Sequence, residues 1–74
     1  MKEILSKNGF FMYKSCTCGG QYNESWRHMH NANIKLKIYP NISQYEIGGK
    51  KGSANNFYTD FYEFLEKNKI KANK

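Results

Sequence analysis

Between Trp26 and Tyr39 the side chains alternate with a period of two. The even positions read Trp26, His28, His30, Ala32, Ile34, Leu36 and Ile38, and the odd ones Arg27, Met29, Asn31, Asn33, Lys35, Lys37 and Tyr39. Successive side chains of a β-strand point to opposite faces, so the pattern predicts one long strand with a mainly apolar face and a polar, basic face. The apolar face needs a cover. The basic face is left to solvent or to a partner.

The flanking segments supply the cover and further strands. Phe10 to Cys18 reads as an earlier strand, ended by Gly19-Gly20, and Gln21 to Ser25 as a polar loop. Pro40 to Ser43 reads as a turn and Gln44 to Gly48 as a third strand. Gly48, Gly49 and Gly52 enclose Lys50 and Lys51 in a loop, with room for a short fourth strand. Pairing Phe10 with Leu36 sets Met12 against Ile34, Cys16 against His30 and Cys18 against His28. A turn at Asn41-Ile42 sets Tyr45 against Ile38 and Ile47 against Leu36. Both registers place Phe10, Met12, Ile34, Leu36, Ile38, Tyr45 and Ile47 on one face.

Phe57, Phe61, Phe64 and Leu65 recur at helical spacing, with Ser53, Asn55 or Asn56 available as a cap. The expected class is therefore α+β: an antiparallel meander of three or four strands packed under one C-terminal helix, at about residues 56–69. Residues 1–8 read as a short helix or arm stopped by Gly9. Residues 70–74 read as a frayed basic tail. The chain as a whole, 1–74, is expected to form a single domain.

Size and charge narrow the function. Seventy-four residues lie near the lower limit for a stable single core, so a dimer contact or a metal would help. Twelve basic and six acidic residues give a net charge of +6. That field attracts nucleic acid, an acidic protein or an anionic surface. Arg27 is the one arginine, so bidentate contacts to bases and phosphates have a single candidate. No apolar run has membrane-spanning length, and no signal peptide opens the chain, so a cytoplasmic setting with reduced thiols is expected.

Two constellations carry chemistry. In the first, Phe11, Tyr13, Arg27, Lys35, Lys37 and Tyr39 share the polar face, with Lys50 and Lys51 on the nearby loop. Rings interleaved with ammonium groups suit a single-stranded nucleic acid, whose bases stack while its phosphates are held. The expected function is therefore nucleic-acid binding; the alternative is a structural or host-interaction protein that binds another protein through the same face, and the chain is expected to assemble as at least a dimer. In the second, Cys16, Cys18, His28 and His30 present four ligand types that zinc accepts. A flat sheet, however, sets them in a near plane rather than a tetrahedron. No orienting carboxylate or oxyanion donor accompanies the thiols, so no enzyme is expected. The glycine-lysine loop lacks the full phosphate-loop spacing.

The segments Lys14 to Gly20 and Ile34 to Pro40 resemble small uncharacterised proteins of phages infecting Bacteroidota, including crAss-like phages. The resemblance covers about half the chain and implies a viral product, in host cytoplasm or virion, with no activity to carry over. In architecture alone, a curved sheet with a C-terminal helix is similar to the single-strand-binding transcriptional coactivator and Whirly proteins, which act as dimers. The double-stranded-RNA-binding domain is a further analogue, but Ser53-Ala54-Asn55-Asn56 departs from the lysine cluster that opens its second helix.

Overall fold

A strand running from Trp26 to Tyr39 would be roughly 46 Å long at about 3.3 Å per residue. The longest axis of the molecule is 35 Å. The chain instead folds back at Met29-His30, and the expected single strand is two. The computed structural model describes residues 1–73 and is α+β. Helix α1 (Lys2–Lys7) precedes strands β1 (Phe10–Cys18), β2 (Gln21–His28), β3 (Asn31–Tyr39), β4 (Gln44–Ile47) and β5 (Lys50–Ser53), and helix α2 (Phe57–Lys67) closes the chain. The five strands form one antiparallel sheet in chain order.

Local hydrogen bonds account for the fold-back. The His30 amide donates to His28 Nδ1 at 3.2 Å, and the Asn33 amide donates to Asn31 Oδ1 at 2.9 Å. Side-chain acceptors of this kind stabilise turns without glycine or proline. The segment expected as a polar loop, Gln21 to Ser25, is therefore the first half of β2. It is entered by a two-residue turn at Gly19-Gly20, where both residues have positive φ, 65° and 82°.

The extra strand corrects the first register. β1 pairs with β2, not with β3: Phe10 lies opposite His28, Met12 opposite Trp26, Cys16 opposite Asn23 and Cys18 opposite Gln21. Tyr13 is the extra residue of a bulge between Met12 and Lys14. The second register is as expected, with Leu36 opposite Ile47 and Ile38 opposite Tyr45.

One sheet face is buried. Phe10, Trp26, Ile34, Leu36, Ile38, Tyr45 and Ile47 meet Phe57, Phe61 and Leu65 of α2 and Leu5 of α1. Phe57 and Phe61 stack at 5.3 Å, and Phe10 meets Phe61 edge-on at 5.5 Å. Met12, expected in this core, is 46% exposed. It sits on the edge strand, outside the cluster that the two helices cover.

The segment after α2 turns back onto the fold. Lys69 adopts a left-handed conformation (φ 59°), and the Lys69 and Ile70 amides donate to the Glu66 and Leu65 carbonyls at 3.0 and 2.8 Å. That is a Schellman ending, which turns the chain back on its own helix. Ile70 and Ala72 then pack on the core. The Asn73 amide donates to Asn8 Oδ1 at 2.6 Å, and Asn8 Nδ2 donates to the Asn73 carbonyl at 3.1 Å. Lys74 of the expected tail lies outside the described residues.

Two polar sites sit within the apolar layer. Tyr45 is buried against Gly52, its partner on β5, and donates its hydroxyl to Asp60 on α2. Burial, together with the Asp60 carboxylate, pushes the Tyr45 hydroxyl up to about 12. Glu24 is 1% exposed. Its carboxylate accepts from Trp26 Nε1 at 3.0 Å and the Tyr22 hydroxyl at 2.6 Å, and pairs with Lys2 Nζ at 2.9 Å. Burial alone would favour the neutral acid. The hydrogen bonds from Tyr22, Lys2 and Trp26 outweigh it and hold the group below the ordinary carboxylate value.

Two predictions follow from these sites. A β-carbon at Gly52 would overlap the Tyr45 hydroxyl, so Gly52→Ala should destabilise the fold by ~1–3 kcal/mol, as overpacking does. Urea unfolding measures it. Because Glu24 holds its proton less tightly when folded, its contribution is present above the ordinary value of 4.5 and is lost as pH falls through the folded value. The wild-type melting temperature should drop in that acid range. The Glu24→Gln variant, less stable at neutral pH, should show a flatter acid limb.

Candidate nucleic-acid interface

The uncovered sheet face is built by register. Across one row run Phe11, Arg27 and Lys35; across the next, Lys14, Ser25, Lys37, Glu46 and Lys51. Tyr39 stands opposite Gln44 beyond them. Each strand thus contributes its alternate residues to the face. The Tyr13 bulge shifts the phase of β1, so Lys14, Cys16 and Cys18 lie on this side with Phe11 rather than opposite it.

The electrostatics are one-sided. Glu46 is the lone carboxylate in the two rows and is flanked by Lys37 and Lys51. Among the described residues, the ion pairs within 4.0 Å are Lys2–Glu24 and Lys50–Asp60, both on the helix side. Lys14, Lys35, Lys37 and Lys51 therefore carry exposed ammonium groups with no carboxylate at that distance. The Arg27 guanidinium is engaged differently: it lies 5.1 Å from the centre of the Phe11 ring, and its Nε donates to the His28 carbonyl at 3.2 Å.

Aromatic surface accompanies the charge. Phe11 is 42% and Tyr13 46% exposed. The bulge brings Tyr13 to the rim of an open cleft of about 410 Å³, lined on this face by Ser25, Lys35, Lys37 and Glu46. Asn33, the Gly48-Gly49 turn, and Leu36 and Phe64 from the helix side complete its lining. A planar ring and two ammonium groups border one cleft of small-ligand size.

Most of the expected interface residues converge here: Phe11, Tyr13, Arg27, Lys35, Lys37, Tyr39 and Lys51. Lys50 does not. It stands opposite Ile47 and its Nζ lies 3.8 Å from Asp60 of α2, on the opposite side of the sheet. Lys14 is an addition, whereas Ser25 of the same row is buried beneath its neighbours. The sequence signal for Lys14 was its place between Tyr13 and Cys16, but only the bulge decides its face.

The expected zinc constellation is taken apart. Cys16 and Cys18 lie near the β1–β2 turn opposite Asn23 and Gln21, whereas His28 and His30 flank the β2–β3 turn at the other end of the sheet. His28 packs edge-on against Phe10 at 5.3 Å. Burial, with His30 and Arg27 nearby, lowers its pKa. No group of three or more His, Cys, Asp or Glu side chains among the described residues could hold a metal ion. The thiols expected to be reduced are joined as a Cys16–Cys18 disulfide. No helix among the described residues is long and apolar enough to cross a membrane.

No protein-family model, curated protein or solved structure matches this chain.

The dispersal of the four ligands makes a prediction about metal removal. Dialysis against a strong chelator should leave the melting temperature of the protein unchanged, as followed by circular dichroism. A structural zinc site would lose folding free energy on chelation.

Proposed function

We propose that the chain is a small nucleic-acid-binding protein that holds a single strand across its uncovered sheet face. The observation that carries this reading is the placement of Tyr13 beside Lys35 and Lys37 on one open cleft, with Lys14 and Lys51 in the same cross-strand row as Lys37. Bases stack on an exposed ring whatever their sequence, while unpaired ammonium groups hold successive phosphates. With one arginine, already seated on Phe11, base-edge discrimination is weak. Binding is therefore of low sequence specificity, to DNA or RNA alike. The resemblance to phage proteins is consistent with such a role in an infected cell.

A second reading has its own observation. Phe11, Met12 and Tyr13 are consecutive, exposed and on the edge strand β1, whose outer side has no partner strand. Open edges invite pairing, and a second copy or an acidic protein would extend the sheet there. In that case the chain is a viral structural or host-interaction protein.

Fluorescence anisotropy with a labelled single-stranded oligonucleotide separates the two. Log affinity should fall linearly with log salt concentration, and each lost phosphate contact should flatten the slope by about 0.7. Lys35→Ala and Lys37→Ala should each flatten it. Tyr13→Ala should cost ~1–3 kcal/mol of binding with the slope kept. Lys50→Ala, on the helix side, should change neither. Absence of binding at low salt, with light scattering that shows a dimer, would favour the edge-pairing reading.

A further inference from the structure

The Cys16–Cys18 disulfide has no evident part in holding the fold. It joins two positions of one strand, separated by a single residue, that the β1–β2 ladder already fixes. The chain-entropy benefit of a cross-link grows with the loop it closes, and this loop is nearly the shortest available. Neither cysteine belongs to the core cluster. Cys18 is exposed and Cys16 half-buried, both beside the Gly19-Gly20 turn that tips the hairpin. The cross-strand partner of Cys16 is Asn23, and that of Cys18 is Gln21.

We propose that this pair is a redox-active site that exchanges with thiols in solution. Accessible disulfides are attacked in line by thiolates, and the exposed sulfur is the one reached. A thiolate of the reducing partner attacks Cys18 Sγ. The Cys16–Cys18 bond breaks, and Cys16 departs as a thiolate that takes a proton from water. A second thiolate from the partner attacks the partner sulfur of the mixed disulfide, and Cys18 departs and is protonated in turn. Two electrons pass to the protein; two thiols of the partner become a disulfide. Lys14 stands two residues before Cys16 on the same face, with no carboxylate within 4.0 Å among the described residues. A nearby ammonium favours the departing thiolate. Reduction leaves the ladder and core in place, so the site cycles without unfolding.

Glutathione is the probe. The folded, full chain is equilibrated in buffers of varied reduced-to-oxidised glutathione ratio, then trapped with an alkylating agent and weighed. The expected result is reversible conversion between disulfide and dithiol, at a rate matched by denatured protein, with an unchanged circular-dichroism spectrum. The mixed disulfide trapped early in the reduction of the wild-type chain should carry its glutathione on Cys18, as located by peptide mapping. Reduction that proceeds only on unfolding would overturn the proposal, as would a chain that stays dithiol in oxidised glutathione. An adduct found mainly on Cys16 would overturn the assignment of the attacked sulfur.

Discussion

Everything in this structure depends on the contact between one eleven-residue helix and one face of a five-stranded sheet. Phe57, Phe61 and Leu65 lie one helical turn apart and descend on Leu36, Ile38, Tyr45 and Ile47, whose inward pointing is fixed by the β3–β4 register. Burying a side chain of this size contributes ~1.5–3 kcal/mol, and in a chain this short few such contacts exist. The six-residue α1 adds Leu5 and carries Lys2 to the buried Glu24. A single helix cannot shelter five strands. What it leaves uncovered is the opposite face and most of β1, where Phe11, Tyr13, Lys14, Lys35, Lys37, Lys51 and Cys18 are exposed.

The ladder and the capping chemistry divide what could be read from the residues alone. The helix at Phe57–Lys67 and the β3–β4 register followed from spacing, since a one-residue slip would have turned Ile38 and Tyr45 outward. The strand count did not. The alternation runs unbroken through Met29-His30 because two effects cancel: the two-residue turn sets His28 opposite Asn31 and so exchanges even and odd positions, and the register irregularity between Arg27 and His28 restores the parity, so that Trp26 lies opposite Leu36. No glycine or proline marks the place. The turn is made by His28 and Asn31 side chains accepting backbone amides, which a hydropathy pattern does not register.

The same turn decides the site. A single strand from Trp26 to Tyr39 sets β1 against β3 and places Cys16 and Cys18 opposite histidines. The register places those histidines at the other end of the sheet. Most members of the basic, aromatic face are legible all the same, since Lys35, Lys37 and Tyr39 share one strand and one parity, and the irregular register sets Arg27 opposite Lys35. Lys50 differs for another reason: its glycine-rich loop reads as a solvated tip, whereas the Asp60 carboxylate of α2 lies within reach of its ammonium group.

The mutual clasp of Asn8 and Asn73 has a bearing on motion. The chain that leaves α2 returns to the end of α1, so the first and last ordered segments are each other's neighbours. Neither α1 nor the 70–73 segment is long enough to hold itself in place as an isolated helix or strand. Each supplies the other's hydrogen-bond partners and a share of the same apolar roof. They should open together, as one cooperative unit distinct from the sheet, and hydrogen exchange should report a common opening free energy for amides sixty-five residues apart in sequence.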